Sequence, residues 1–282
     1  MNIVVAKSAG FCFGVKRAID ETLKILEKSN KKIYSIGSLI HNEKVLSDLK
    51  NKGLVELNNI EEIYSLKNET VIIRTHGIEK NIYEILKKNG NNIVDLTCPF
   101  VEKIHKIVED YSAKGFHIII IGDKNHPEVK GIVSYSNKIS VVLEENDVKN
   151  LKIDQNTNIL VVFQTTTNAT NAEKLVDILR NFYYNIIVIN TICNTTINRQ
   201  EEVRSLARVS DVMIVIGSET SSNTMKLYDI AKTICKNTYI INDSNNLKNI
   251  FIKNDAKVGV SAGASTPQYL IEEILTNVRA KF

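Results

Sequence analysis

Three of the four cysteines in the chain share one local sequence pattern. A short apolar run leads into Cys12, Cys98 and Cys193, and a helical pattern follows each of them. These cysteines are separated by 86 and 95 residues, so the pattern recurs at a nearly constant interval. Backbone amides at a helix N-terminus stabilise a thiolate. The spacing therefore predicts three thiolates around one shared metal centre, whereas Cys235 is predicted to lie within a helix as a buried apolar residue.

Three thiolates would leave one coordination position of a metal centre open, which is typical of catalytic rather than structural sites. Thiolates suit zinc and iron–sulfur clusters alike, so the spacing does not distinguish between these metals. A cluster held entirely by protein normally takes four cysteines, and three would leave one iron available to a substrate. The ordinary alternative for any single cysteine is a buried structural residue.

Polar residues follow the ends of other predicted strands. Three of the five histidines, His41, His76 and His126, occupy such loops, while His105 falls within a helix and His117 begins a strand. Hydroxyl and amide side chains occupy comparable loops: Thr165, Ser221, Ser222, Asn223 and Ser265. Donor-rich loops beside helix N-termini suit an anion such as phosphate or diphosphate. The spacing matches neither a Walker A motif nor G-x-G-x-x-G, which disfavours a nucleotide.

Glu128 lies two residues after His126. It is interpreted either as a general acid within the pocket or as a first-turn glutamate that stabilises a helix dipole. Thr165 and Thr166 either cap the helix that follows them or provide a hydroxyl to a proton relay with Glu128.

The elements that position these residues recur three times, because each third of the chain contains four strand–helix units. Alternating strands and helices predict parallel sheets, in which ligands bind beyond the carboxyl ends of the strands. The sequence therefore predicts an α/β fold of three similar domains with mostly parallel sheets, in a pseudo-threefold arrangement around a central cavity. The predicted domains are residues 14–97, 98–192 and 193–282.

The composition limits the partners and the compartment. The chain has 282 residues, of which 43% are hydrophobic and 24% charged, as in an ordinary globular protein. A net charge of +4 and dispersed basic residues disfavour nucleic acid. The longest apolar runs fall short of the roughly 20 residues that span a bilayer, and Lys7 and Cys12 interrupt the region that a signal peptide would use. We therefore expect a cytoplasmic protein without a membrane partner, whose cysteines bind metal rather than form disulfides.

The motifs around these residues closely resemble those of the LytB-type 4-hydroxy-3-methylbut-2-enyl diphosphate reductases, the last enzymes of the non-mevalonate isoprenoid pathway. The matching stretches run from residue 9 to residue 266: AGFCFGV, LIHNEKV, RTHG, DLTCPFV, NHPEV, QTTT, TICNTTINRQ, GSETSSNT and SAGAST.

The resemblance implies one 4Fe–4S cluster on Cys12, Cys98 and Cys193, with one open iron site, in a central cavity between the domains. It implies that Glu128 supplies protons and that Thr165 contacts the substrate hydroxyl. It also implies that residues 1–13 complete the sheet of the third domain. The residues that it implies for binding the substrate diphosphate are His41, His76, His126, Ser221, Ser222, Asn223 and Ser265.

The implied reaction is the reductive dehydroxylation of an allylic diphosphate to isopentenyl and dimethylallyl diphosphate, with electrons from ferredoxin or flavodoxin. Some family members carry a fused RNA-binding extension, and we expect none after Phe282. Two alternatives are a zinc hydrolase that acts on a phosphorylated substrate and an iron–sulfur redox sensor. A sensor that regulates transcription would need basic DNA-reading elements, which the sequence does not suggest.

Overall fold

The computed structural model describes residues 2–281, so Met1 and Phe282, the outer bounds of the predicted domains, lie outside the described residues. The chain starts with strand β1 (Asn2–Val5) and helix α1 (Phe13–Lys28). Between residues 2 and 281, twelve strands form three four-stranded sheets in which every pairing is parallel. The predicted α/β fold with three similar parallel sheets is therefore confirmed.

The first sheet is built from the strands that follow α1. Its strands are β2 (Ile33–Ile36), β3 (Leu54–Leu57), β4 (Thr70–Ile73) and β5 (Asn92–Asp95). The connecting helices are α2 (Glu43–Asn51), α3 (Ile60–Ser65) and α4 (Lys80–Lys88). The strand order is β3-β2-β4-β5. Ile36, Val71 and Ile73 pack against buried apolar residues of α3 and α4, because one face of the sheet is covered by these helices.

The second sheet repeats this topology with the order β7-β6-β8-β9. Its strands are β6 (His117–Ile121), β7 (Ile139–Val142), β8 (Ile159–Phe163) and β9 (Ile186–Val188). Its helices are α5 (Pro99–Ala113), α6 (Pro127–Val133), α7 (Glu145–Lys149) and α8 (Ala169–Phe182). Ile118, Ile120 and Val162 pack with apolar residues of α5 and α6. Burial on both faces explains why these strands are continuous apolar runs.

The third sheet takes one strand from the start of the chain. Its other strands are β10 (Val212–Ile216), β11 (Thr238–Ile241) and β12 (Lys257–Ala262). Its helices are α9 (Asn194–Arg208), α10 (Ser222–Ile234), a 3₁₀ helix (Ser244–Asn249) and α11 (Gln268–Lys281). Strand β1 pairs with β12, with Asn2 opposite Lys257 and Val5 opposite Val260. Ile214 packs with α11 and Val215 with α9 and α10, as strand alternation requires.

The three sheets share one topology. The order β11-β10-β12-β1 matches the other two if β1 takes the place that β5 and β9 occupy. Cys12, Cys98 and Cys193 follow β1, β5 and β9 respectively. Each cysteine thus comes after the same outer strand and immediately before a helix.

The described residues fall into two compact units. The third-sheet unit comprises residues 2–16, 40–48 and 194–281, and the two-sheet unit comprises residues 17–39 and 49–193. Among the described residues, every helix is too short or too polar to cross a membrane.

Three local expectations need correction. Cys235 was expected within a helix, but α10 ends at Ile234 and Cys235 is its C-terminal cap. At Cys235 the backbone leaves the helical conformation, with φ −110° and ψ 109°, and the Thr238 hydroxyl donates to its carbonyl at 2.6 Å. The thiol is buried against the carbonyls of Ser210 and Asp211, each 3.6 Å away, in agreement with the expected structural role.

The other two corrections concern helix starts. The sequence LKNIF predicts a helix over residues 247–251. The structure has a 3₁₀ helix there that begins at Ser244, because Asp243 and Asn246 form a reciprocal capping box. Asn168 caps α8 by accepting from the Thr170 and Asn171 amides. The interpretation of Thr165 or Thr166 as that N-cap is therefore wrong.

We expect Ile120→Ala to lower the free energy of unfolding by about 2–5 kcal/mol, because its fully buried side chain would leave a cavity in the second sheet. Urea denaturation followed by circular dichroism measures the change. Ile187→Ala is the matched control, since Ile187 lies on the outer strand β9 of the same sheet and is 40% exposed. Equal losses in the two variants would contradict the assigned core.

Candidate active site

One backbone hydrogen bond recurs at all three cysteines that follow outer strands. In each case the cysteine N–H donates to a carbonyl two residues beyond the end of the neighbouring strand β12, β4 or β8. The bonds are Cys12 to Ala264 at 3.1 Å, Cys98 to Thr75 at 2.9 Å and Cys193 to Thr165 at 3.1 Å. The position of each cysteine is therefore fixed relative to the loop at the end of the adjacent strand.

Each cysteine also stands at the start of a helix. Cys98 is the N-cap of α5, which has Pro99 as its first residue. The Cys12 carbonyl accepts from the Lys16 amide at 2.9 Å, and Cys193 directly precedes α9. Among residues 2–281 these three cysteines form no disulfide and are half-buried, whereas Cys235 is buried. Each of these half-buried thiols at a helix start is thus a suitable ligand type for zinc or an iron–sulfur cluster.

Glu128 and Thr165 form a closely hydrogen-bonded pair in the two-sheet unit. The Thr165 amide donates to Glu128 Oε1 at 2.6 Å, and the Thr165 hydroxyl donates to Oε2 at 2.7 Å. The Thr165 carbonyl accepts from the Cys193 amide, so one residue joins the carboxyl group to a cysteine. This geometry favours the proton-relay interpretation of Glu128 and Thr165 over the capping one.

Burial dominates the electrostatics of Glu128, which is 1% exposed. Removal from water raises the pKa of this carboxyl group to about 7, although the two hydrogen bonds from Thr165 act in the opposite direction. Near neutral pH the group can therefore exist as a protonated acid. Glu128 also lies in the first turn of α6, as the alternative interpretation requires, so its burial rather than its position points to a role as an acid.

Two histidines accompany this pair. His126 is the N-cap of α6, and its Nδ1 accepts from the Glu128 amide at 3.1 Å. The His76 and His126 rings meet edge to face, with centroids 5.0 Å apart. His76 directly follows Thr75, the residue that binds the Cys98 amide. The two-sheet unit therefore brings together six of the predicted site residues: His76, Cys98, His126, Glu128, Thr165 and Cys193.

The third-sheet unit holds the other predicted site residues. The Ser265 hydroxyl donates to the His41 carbonyl at 2.9 Å, and Ser265 follows Ala264, which binds the Cys12 amide. Ser221 caps α10 by accepting from the Thr224 amide, and Ser222 and Asn223 are the first two residues of that helix. These residues all lie at carboxyl ends of strands or at the helix start that follows.

Asn223 carries a feature that indicates a ligand. It is 6% exposed, and its Nδ2 is buried without a hydrogen-bond partner among residues 2–281. An unsatisfied buried amide donor is costly unless something accepts from it. Because Asn223 lies in the first turn of α10, the missing acceptor would also be favoured by the helix dipole if it were an anion.

His105 and His117 lie outside this set, as the sequence predicted. His105 is buried in α5 and stacks on Tyr135, and burial lowers its pKa to about 4. His117 is the first residue of β6 and its Nε2 contacts the Ser140 hydroxyl.

Sequence reasoning did not single out Gln164, although it lies in the QTTT stretch. Its Oε1 accepts from the Asp123 amide and its Nε2 donates to the Thr166 hydroxyl, both at 3.0 Å. Gln164 thus joins the loop after β6 to the loop after β8. The sequence analysis also did not identify Arg17 and Arg199 as residues near the cysteine loops. A local signal was present, since Arg17 lies five residues after Cys12 and Arg199 six residues after Cys193.

Comparisons with known proteins agree with these observations. The family model described as LytB protein matches residues 3–279. The chain is 41% identical over 284 residues to the 4-hydroxy-3-methylbut-2-enyl diphosphate reductase of Caldanaerobacter subterraneus subsp. tengcongensis, and the match covers 99% of this chain and 97% of the relative.

Two solved structures are similar in fold. The first is the E-1-hydroxy-2-methyl-but-2-enyl-4-diphosphate reductase of Plasmodium falciparum, with a TM-score of 0.90, 30% identity and coverage of 98% of this chain and 87% of that one. The second is described as (E)-4-hydroxy-3-methyl-but-2-enyl diphosphate reductase, the terminal enzyme of the non-mevalonate pathway, with a TM-score of 0.70, 37% identity and 99% coverage of both chains. The full-length match, the repeated cysteine loops and the three parallel sheets lead to one conclusion: the chain belongs to the LytB family.

Proposed function

We propose that this chain is a reductase that removes the hydroxyl group from 4-hydroxy-3-methylbut-2-enyl diphosphate and yields isopentenyl and dimethylallyl diphosphate. The observation that carries the proposal is the buried Glu128–Thr165 pair, which a backbone bond joins to Cys193. A LytB-family chain in which a buried carboxyl group can be protonated near neutral pH beside a cysteine loop is suited to reductive loss of water.

Cys12, Cys98 and Cys193 would hold one 4Fe–4S cluster, leaving one iron without a protein ligand. When bound, this cluster supplies electrons one at a time and a Lewis-acidic iron. The electrons would come from ferredoxin or flavodoxin in the cytoplasm. The three accessible cysteines, each held by the same backbone bond, support this assignment.

The substrate diphosphate would be bound by polar groups at strand ends and helix starts. The Asn223 amide supports this role, because its buried donor needs an acceptor. Helix N-termini and imidazole or hydroxyl donors bind phosphate oxygens well. The proposed diphosphate ligands are His41, His76, His126, Ser221, Ser222, Asn223 and Ser265.

Glu128 would supply the proton that leaves with the hydroxyl group as water. Its raised pKa provides a neutral acid near pH 7, and the Thr165 hydroxyl can pass the proton on, since it both donates and accepts. The Thr165 amide holds the carboxyl group in place during this transfer. The reaction consumes two electrons and two protons, and the second proton, which ends on carbon in the product, would come from the same pair.

Cys98→Ser should abolish the iron–sulfur absorption and most of the bound iron, because a serine hydroxyl is a poor replacement for a thiolate ligand. Anaerobic ultraviolet–visible spectra and iron analysis measure this. Cys235→Ser is the matched control and should retain both signals, since that thiol is a buried cap residue. An intact cluster spectrum in Cys98→Ser would contradict the assigned ligation.

Glu128→Gln should keep the cluster and substrate binding but lower kcat by about 10²–10⁴-fold, because the amide cannot act as a general acid. Steady-state assays with reduced methyl viologen measure turnover. Glu173→Gln, an exposed change in the same unit, should have wild-type rates. A near-normal kcat in Glu128→Gln would remove this residue from the mechanism.

The pH dependence of kcat/KM offers a further check on Glu128. Because the acid must be protonated and its pKa is about 7, kcat/KM should be constant at lower pH and fall as the pH rises through about 7. The same profile of the residual activity of Glu128→Gln should lack this decrease. A wild-type profile that rises through pH 7 would contradict the assigned protonation state.

Asn223→Ala should weaken the binding of inorganic diphosphate and raise KM by about 10–100-fold, as expected for the loss of a hydrogen bond to a charged group. Competitive inhibition by diphosphate measures the affinity. Asn245→Ala, an exposed change in the same unit, is the control. An unchanged inhibition constant in Asn223→Ala would mean that its amide does not face the anion.

A further inference from the structure

We infer that Arg199 and Arg17 are positioning residues that hold the backbone in front of two cysteines, and so set the stability and reduction potential of a cluster bound there. This inference rests on the proposed function, because it assumes that Cys12 and Cys98 are cluster ligands. The hydrogen bonds of the two arginines described below all go to backbone carbonyls near the cysteines, not to the Glu128–Thr165 pair.

Arg199 holds two loops of the third-sheet unit together. Its NH2 group donates to the Gly10 carbonyl at 2.7 Å, and its NH1 group donates to the Ala262 carbonyl at 2.9 Å. Gly10 lies two residues before Cys12, and Ala262 lies two residues before Ala264, which binds the Cys12 amide. One guanidinium group therefore contacts both chain segments that the Cys12–Ala264 backbone bond joins, the one before Cys12 and the one after β12.

The conformation of Gly10 makes this contact specific. Gly10 has a φ of +108°, in the left-handed region that favours glycine, so the chain turns sharply just before Cys12. Its carbonyl is thereby directed at Arg199, which is 3% exposed. A buried guanidinium group that donates to fixed carbonyls in a forked arrangement is geometrically demanding, and lysine does not reproduce it.

A second residue of α9 supports the same loop. Glu202 lies one helical turn after Arg199 and accepts from the amides of Lys7 and Ser8, at 2.6 Å and 3.0 Å, and from the Ser8 hydroxyl. Helix α9 thus binds the segment between β1 and Cys12 at both ends, by Glu202 near β1 and by Arg199 near the cysteine. The loop is held by charge-assisted hydrogen bonds rather than by apolar packing alone.

Arg17 plays the corresponding role in the two-sheet unit. Its NH2 group donates to the Leu96 carbonyl at 3.1 Å and to the Thr97 carbonyl at 2.6 Å. These are the two residues directly before Cys98, whose own amide binds the Thr75 carbonyl. The approach to Cys98 is therefore fixed by Arg17 and its amide by Thr75.

The third cysteine uses a different arrangement. Before Cys193, the Thr191 hydroxyl donates to the Phe163 carbonyl at 2.6 Å and accepts from the Phe163 amide at 2.7 Å. The Asn190 side chain accepts from the Ile192 amide at 3.0 Å. A neutral threonine thus ties this loop to β8, where the other two loops are tied by an arginine. The effect of a positive charge can therefore be tested at the Cys12 and Cys98 loops, because the Cys193 loop is held without one.

Two physical effects follow for a cluster on these loops. Residues that orient metal ligands through hydrogen bonds typically change metal affinity or activity by about 10–100-fold when they are removed. A positive charge near a cluster also favours its reduced, more negative state, because cluster charge and its surroundings set the potential. Loss of either arginine should therefore shorten cluster lifetime and make reduction harder.

The test uses the anaerobically purified, cluster-loaded protein. Arg199→Met should shift the reduction potential to a more negative value in a dye-mediated titration and shorten the half-life of the cluster absorption in the presence of an iron chelator by about tenfold or more. Arg199→Lys keeps the positive charge but cannot donate to both carbonyls at once. Its reduction potential should therefore be close to that of the wild type, while its cluster half-life should be nearly as short as that of Arg199→Met. Arg17→Met should show the same pair of changes independently.

Arg208→Met is the matched control, because Arg208 is exposed, lies on the same helix and carries the same charge. A potential and half-life for Arg199→Met and Arg17→Met equal to those of Arg208→Met would overturn the inference. If Arg199→Met does not fold, Arg199→Lys with a wild-type half-life overturns it in the same way. A wild-type chain without any iron–sulfur spectrum would instead overturn the proposed function, which keeps the two failures distinct.

Discussion

The structure depends on one backbone hydrogen bond that is made three times. In each repeat, the amide of a cysteine donates to a carbonyl two residues beyond the third strand of a parallel sheet. In two repeats the residue after that carbonyl is a proposed substrate ligand, His76 or Ser265. In the third repeat the carbonyl belongs to the proposed site residue Thr165 itself. Each bond therefore fixes a proposed metal ligand relative to a proposed substrate-binding residue.

Thr165 connects the buried Glu128 carboxyl group to the backbone at Cys193. Its amide and hydroxyl bind the Glu128 carboxyl group, while its carbonyl binds the Cys193 amide. Two donors would by themselves keep Glu128 ionised, but the cost of burial is larger and raises its pKa to about 7. The opposing effects leave a carboxyl group that is held in one orientation and can still gain and lose a proton near neutral pH.

Much of the fold follows from local sequence. Apolar strands such as β6 and β10 and the helices after each cysteine are recognisable because burial on both faces and capping leave clear patterns. The strand-end positions of His76, His126 and Thr165 follow from the same periodicity. The sequence alone could not decide between a proton-relay role and a helix-dipole role for Glu128. The proton-relay role depends on a contact with Thr165, which is 37 residues away in the chain.

Other features lay beyond local patterns for the same reason. Arg199 donates to carbonyls that are 63 and 189 residues away in the chain, so the sequence around it does not predict these two hydrogen bonds. The end of α10 at Ile234 coincides with a non-helical backbone at Cys235, whose carbonyl accepts from the Thr238 hydroxyl. The early start of the 3₁₀ helix depends on a reciprocal cap between Asp243 and Asn246, which weak local propensities did not reveal.

The place of β1 in the third sheet has a consequence for how the protein is made. Asn2 pairs with Lys257, which is synthesised 255 residues later in the chain. At about 5–20 residues per second, the intervening chain takes roughly 13–50 seconds to synthesise. Throughout that time the Cys12 loop lacks Ala264, Arg199 or both as folded partners. The first two sheets can form during translation, but the Cys12 loop can reach its final geometry only after Ala264 has been synthesised. Joint ligation of one metal centre by the three cysteines, as proposed above, would have to follow that step.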